Sequence, residues 1–178
     1  MTHLKTLGGT PVSRAAFGTM QWGGGATAQD AEATHAACRA AGINHFDTAH
    51  VYNDGASERE VARLCTQDRA ETYIATKVSY PGGNSAASIT GSVEESLNRL
   101  ELDQIDLLYL HRWDDDAPLE ESFEALATLQ NDGAIRHIGV SNFAAWQVMK
   151  AQTVAATFGT RIDAIQPMYN LVKRQVEV

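Results

Sequence analysis

Gly42-Ile43-Asn44-His45-Phe46-Asp47-Thr48-Ala49-His50-Val51-Tyr52 runs from a helix-stopping glycine through a short apolar strand into a polar loop. The same pattern recurs downstream. Thr72–Val78 is an apolar run that carries Lys77 near its end, and Ile105–Leu110 is another that delivers His111. Runs this short and apolar read as strands buried on both faces, and helical stretches separate them. Parallel strands alternating with helices close into a barrel whose strand ends share one mouth, so segments distant in sequence can converge there.

Working outward, Leu4–Leu7 and Pro11–Ser13 flank Gly8-Gly9 and read as a short hairpin ahead of the main fold. Arg14–Gly18 is the first strand and Ile43–Asp47 the second. Between them Thr27 caps a helix to Ala41, with Asp30 favourable near its start and Gly42 at its end. Ser57-Glu58-Arg59-Glu60 reads as a capping box for a helix to about Gln67. After the third strand and Pro81-Gly82-Gly83, a helix spans Ser85–Leu100, with Gly91 inside it. Pro118 opens the next helix, which stops at Gly133. Ile135–Val140 is the fifth strand, Phe143–Phe158 a helix closed by Gly159, and Arg161–Pro167 the sixth strand; Lys173–Val178 begins a further helix.

Six βα units without a sequence repeat predict a single α/β domain over 1–178, a (β/α)8 TIM barrel represented by its hairpin and about six strands. An open doubly wound sheet is the alternative, disfavoured because no Gly-rich dinucleotide fingerprint follows any strand. Such barrels typically need about 250 residues, so the expectation is a C-terminally incomplete barrel, the N-terminal portion of a longer protein.

With 44% hydrophobic and 20% charged residues the composition is that of a globular protein. A net charge of −8 argues against a general nucleic-acid binder. No stretch approaches the roughly 18 apolar residues of a membrane span, and no signal peptide is visible. Cys38 and Cys65 fall in separate helices without metal spacing, which suits small buried thiols in a reducing cytoplasm.

Asp47, Tyr52, Lys77 and His111 bring an acid, a phenol, an amine and an imidazole to one mouth. Reducing a carbonyl by hydride requires a proton donor at oxygen and an electrostatic sink for the developing alkoxide. A phenol is a weak acid at neutral pH unless a neighbouring ammonium favours its phenolate. A carboxylate keeps that amine charged and fixed, and an imidazole orients the carbonyl. Taken singly, each residue has a duller reading: a turn cap, a rim aromatic, a solvated strand end, a satisfied structural histidine. All four at successive strand ends make the constellation the signal.

The opening segment resembles the signature of the aldo-keto reductase family. Ala75-Thr76-Lys77-Val78, Leu108-Tyr109-Leu110-His111, Ile138-Gly139-Val140-Ser141-Asn142-Phe143 and Gln166-Pro167-Met168-Tyr169-Asn170 resemble four further blocks, in family order and spacing. The resemblance implies an NADP(H)-dependent, metal-free reductase of a small-molecule aldehyde or ketone. Tyr52 inherits the general-acid role, Lys77 and Asp47 the pair that tunes it, and His111 the carbonyl-orienting histidine. Ser141, Asn142 and Gln166 match the residues that hold the nicotinamide carboxamide, and Gly18-Thr19 those near its ribose. Where the family often has glycine after Ser57-Glu58 this chain has Ala62, still small enough for tight packing.

Trp22 and Trp113 fall in loops after the first and fourth strands, where a substrate pocket would form or where loop packing would claim them. Gly23-Gly24-Gly25 lacks the lysine and hydroxyl residue of a phosphate loop. The remaining histidines share no metal-ligand spacing, and Asp114-Asp115-Asp116 reads as a solvated loop. Two other readings stay open: a channel-β-subunit-like regulatory protein on the same scaffold, and an inactive truncated chain.

Overall fold

A computed structural model describes residues 3–177. Six parallel strands, β1 Ala16–Gly18, β2 His45–Asp47, β3 Tyr73–Val78, β4 Ile105–Leu110, β5 Ile135–Ser141 and β6 Ala164–Gln166, pair in sequence order and curl into part of a barrel wall. Five helices link them across the outer face: α1 Ala28–Ala40, α2 Ala56–Cys65, α3 Ala86–Leu100, α4 Leu119–Asn131 and α5 Ala145–Thr157.

Alternation along the strands divides the core in two. Phe46, Ile74, Val78, Leu108, Leu110, Ile138 and Val140 face outward and pack with Val61, Ile89, Val93, Phe123 and Leu126 of the helices. Tyr73, Ala75, Leu107 and Tyr109 face the lumen, where Leu4 and Val12 of the N-terminal hairpin close the bottom. That hairpin is minimal, a Lys5–Pro11 antiparallel bridge with Gly9 at φ +87° in the turn. Gly139 is required where it stands, because a Cβ there would lie 2.5 Å from the Tyr109 ring on the neighbouring strand.

The Thr27–Asp30 capping box forms as expected. The second expected box does not. Helix α2 begins at Ala56 behind a left-handed Gly55, and no side chain caps it. Ser57 and Glu58 turn inward instead, where both are fully buried. The Ser57 hydroxyl donates to Thr19 O at 2.8 Å and lies 2.9 Å from Thr48 Oγ1, while Glu58 accepts from Thr76 Oγ1 and pairs with Arg99. Ala62 is buried, as its small side chain suggested.

Strand β4 is buried on both faces even though it carries a carboxylate, Asp106, which is fully buried and neutralised by Arg69 and Arg136. Side-chain bonds trim several edges. Strand β1 starts at Ala16 because Ser13 exchanges hydrogen bonds with Asn44 rather than joining the ladder. Helix α5 starts at Ala145 because Asn142 holds φ +57° and Phe143 is buried, with Gln147 accepting from the Ala144 amide. The helix expected from Lys173 is a single 3-10 turn over Gln175–Glu177, and Val178 lies outside the described residues.

Candidate active site

The upper end of β2 places Asp47 in the lumen, paired in register with Gly18 and Ala75. Two residues beyond Ala75 on the same face, Lys77 is 1% exposed. Its Nζ donates to Asp47 Oδ2 at 2.6 Å and to Thr48 O at 2.8 Å. An ammonium has three donors, so one remains after these two bonds. The same nitrogen lies 5.1 Å from the centroid of the Tyr52 ring. Asp47 Oδ1 is buried without a hydrogen-bond partner among the described residues.

Backbone conformation fixes Tyr52. It opens a short turn in which Asn53, Asp54 and Gly55 all hold left-handed φ of +52°, +52° and +82°. Such backbone is costly for the two non-glycine residues and needs external support. Asn53 Nδ2 supplies some by donating to Met20 O at 2.8 Å and Trp22 O at 3.0 Å. Arg99 of α3 supplies more, with Nη1 donating to His50 O at 2.9 Å. Sequence reading missed both residues; the one local signal was Asn-Asp-Gly, a composition that favours left-handed turns.

His111 extends β4 by one residue, its amide donating to Val78 O at 3.1 Å. Its ring stands edge-on to Tyr52 at 5.9 Å, and Tyr80 packs 5.6 Å from it. Burial, reinforced by repulsion from Lys77, lowers its pKa to about 4, so the ring is neutral near pH 7. Its Nδ1 is buried and unpartnered. The Tyr52 hydroxyl likewise makes no hydrogen bond among the described residues.

Beside this group, Asn142 Nδ2 donates to His111 O at 2.9 Å and to Ser141 Oγ at 3.1 Å, and Ser141 Oγ donates to Gln166 O at 3.2 Å. These bonds spend the Asn142 donors and leave its amide oxygen and the whole Gln166 side-chain amide unused. Gly18 is exposed at the end of β1. Thr19 is fully buried, its hydroxyl donating to Asp47 O at 3.1 Å and its amide to the same oxygen at 2.8 Å.

The tryptophans part company. Trp22 is 2% exposed on the outer layer, against Phe17 and Phe46, with Nε1 donating to Thr34 Oγ1 of α1. Its apolar neighbours and its indole donor are satisfied there, which draws the ring away from the mouth. Trp113 packs on Phe143 and Trp146 and forms one wall of a cleft of about 500 Å³ beside His111, together with Tyr80 and Arg112. Gly24 belongs to a tight turn whose missing Cβ accommodates the Asn53 amide. Cys38 and Cys65 are buried free thiols, and burial pushes Cys65 up to about 12. Among the described residues no group of three or more His, Cys, Asp or Glu gathers as a metal site, and no helix is long and apolar enough to cross a membrane.

Residues 14–178 match the model of the Aldo/keto reductase family. The chain belongs to the aldo/keto reductases. Among curated members it is 35% identical over 172 residues to aflatoxin B1 aldehyde reductase member 2 of Rattus norvegicus, covering 90% of this chain and 46% of the relative. It is 33% identical over 188 residues to a probable voltage-gated potassium channel subunit beta of Oryza sativa subsp. japonica, covering 96% of this chain and 56% of the relative. The solved glycerol dehydrogenase of Gluconobacter oxydans superposes with a TM-score of 0.80 at 36% identity, covering 94% of this chain and 55% of that one. The aldo/keto reductase chain thus spans about half the length of the relatives it matches, and its six strands follow the barrel of that family.

Proposed function

We propose that this aldo/keto reductase segment carries the proton-transfer half of an NADP(H)-dependent carbonyl reductase, acting on a small aldehyde or ketone in the cytoplasm. The observation that carries this reading is the Lys77 ammonium, 2.6 Å from Asp47 and 5.1 Å from the Tyr52 ring, with a neutral His111 edge-on to that ring. Tyr52 is the general acid: its O–H bond breaks as its proton passes to the carbonyl oxygen. The phenolate left behind is stabilised by Lys77, whose ammonium cannot drift because Asp47 and Thr48 O hold it. Neutral His111 donates a hydrogen bond to the same carbonyl oxygen and fixes its approach to Tyr52.

The residues beside the proton donor fit a nicotinamide. Its carboxamide needs both donors and acceptors, which the unspent Gln166 amide and Asn142 oxygen offer. Ser141 holds Gln166 in place, and the exposed Gly18 leaves backbone open to a ribose. When bound, the reduced cofactor supplies the hydride to the carbonyl carbon.

The test is Tyr52→Phe in the full-length protein. Reduction of an aldehyde should fall by roughly 10²–10⁴-fold, the scale of general-acid catalysis, while NADPH binding by fluorescence stays near that of the parent. Turnover close to the parent's would remove Tyr52 from the mechanism. The likeness to a channel subunit supports a second reading, a regulatory partner on the same scaffold. No turnover by the parent, together with stoichiometric copurification of a membrane protein, would favour it.

A further inference from the structure

We propose that Arg112, seated on Tyr80 beside His111, receives an anionic group on the carbonyl substrate, a carboxylate or a phosphate, and gives the enzyme a preference for acidic carbonyl compounds. The proposal rests on the carbonyl-reductase reading and adds the substrate class.

The guanidinium is held in place without being consumed. Arg112 Cζ lies 4.8 Å over the Tyr80 ring, and Tyr80 packs 5.6 Å from His111. Stacking of this kind orients a guanidinium while leaving its in-plane N–H fork free for a planar or tetrahedral anion. Arg112 forms no ion pair among the described residues, although three aspartates follow within four positions and the chain carries 22 acidic residues against 14 basic ones.

Those neighbouring acids are engaged elsewhere. Asp114 accepts from the amides of Asn84 and Asp116, and Asp115 accepts from Trp113 Nε1. Glu121, across the cleft, accepts from the Ala86 amide. Among the described residues, only Asp116 lines the cleft with its carboxylate free of a hydrogen bond. Asn84 Nδ2 pins the Arg112 carbonyl at 3.1 Å, which anchors the backbone from which the guanidinium springs. A substrate whose carbonyl oxygen meets Tyr52 and His111 would extend one ring further, past Tyr80, to bring its far end to Arg112.

Full-length protein with NADPH is assayed on 4-carboxybenzaldehyde and on 4-nitrobenzaldehyde, its neutral counterpart of similar shape. The readout is the ratio of the two kcat/KM values. Arg112→Met should lower that ratio by about tenfold or more, the scale of one charge-assisted hydrogen bond, chiefly through KM. Arg112→Lys should recover part of it. Asp116→Asn should raise the ratio, because it removes the cleft carboxylate that no hydrogen bond holds among the described residues. A ratio unchanged in Arg112→Met, or one lowered by Asp116→Asn, overturns the proposal.

Replacing the carboxylate with a phosphate, as 4-formylphenyl phosphate, tells which anion the site prefers. If neither aldehyde is reduced by the parent, the carbonyl-reductase reading fails on its own. Calorimetric binding of 4-(hydroxymethyl)benzoate to parent and Arg112→Met protein then decides the anion site: weaker binding in the variant supports it, and equal or absent binding overturns it.

Discussion

Two buried carboxylates at opposite ends of the same sheet are treated in opposite ways. Asp106, at the start of β4, is saturated: Arg69 Nη1 lies 2.6 Å away, Arg136 pairs with its other oxygen, and the Ile74 amide donates at 2.9 Å. Asp47, at the end of β2, binds Lys77 through one oxygen and leaves the other buried and unpartnered. The deficit is shared by its neighbours, for His111 Nδ1 and the Tyr52 hydroxyl also lack partners. An unpaired buried polar group costs on the order of 1–3 kcal/mol. At the lower end His45 Nε2, beside Tyr73, is one such atom, whereas at the mouth Asp47 Oδ1 and His111 Nδ1 are two, next to the unpartnered Tyr52 hydroxyl. The lower end is built for stability, and the mouth keeps the groups that chemistry could use.

Breaking each end should therefore have separate consequences. Tyr52→Phe should abolish most aldehyde reduction by the full-length protein while shifting the thermal midpoint little, because the lost hydroxyl has no partner in the fold. Asp106→Ala should do the reverse. It strips two guanidinium groups of their counter-charge and should cost about 3–5 kcal/mol in urea denaturation, while the folded fraction keeps its kcat. A Tyr52→Phe protein that is also strongly destabilised, or an Asp106→Ala protein that folds normally but is inactive, would dissolve the division between the two ends.

Titration sharpens the contrast with a smaller effect. His111 has a folded-state pKa near 4 against an ordinary value near 6.5, through burial first and Lys77 second. The unfolded chain takes up this proton first as pH falls, so stability contributed here should decline between pH 6.5 and about 4 and level off below. Lys77→Met removes the repulsion but not the burial, so the imidazole should titrate above its value in the parent and still below 6.5. An NMR titration of the His111 ring checks this, and an unchanged midpoint would mean that Lys77 does not act on the imidazole.

Much of the upper end could be read from residue order, because barrel topology brings the strand ends that carry Asp47, Lys77 and His111 together whatever the loops do, whereas Tyr52 joins them through the turn that follows β2. The strands, the Thr27–Asp30 cap and the glycine stops were legible for the same reason: they depend on neighbours in sequence. What escaped was set by contacts between distant residues. Nothing near Asp106 announces that Arg69 and Arg136 will reach it, so a charge in mid-strand carried no visible partner. Trp22 sits in a loop that points to the mouth by position, yet its indole is claimed by Thr34 and its ring by Phe17 and Phe46. Thr19 is placed at the mouth by the family resemblance, but its hydroxyl is spent on Asp47 O. Asn53 and Arg99 act by holding a backbone conformation, which composition hints at and only coordinates display.

The misread capping box gives the finest test of how the mouth is supported. If Ser57 and Glu60 capped α2, replacing either with alanine would cost a similar amount, typically about 1 kcal/mol. In the fold their roles diverge. The Ser57 hydroxyl joins Thr19 O, just beyond β1, to Thr48 Oγ1 just beyond β2, and is fully buried. Glu60 pairs with Arg63 one turn along the helix. Ser57→Ala should therefore cost about 1–3 kcal/mol, because the fully buried Thr48 hydroxyl loses its one partner among the described residues while Thr19 O keeps only the Trp22 amide, whereas Glu60→Ala should stay within about 0.5 kcal/mol. Chemical denaturation of the two variants separates these outcomes. Equal losses would restore the cap, and with it a mouth whose first two strands are joined by little more than their own short ladder.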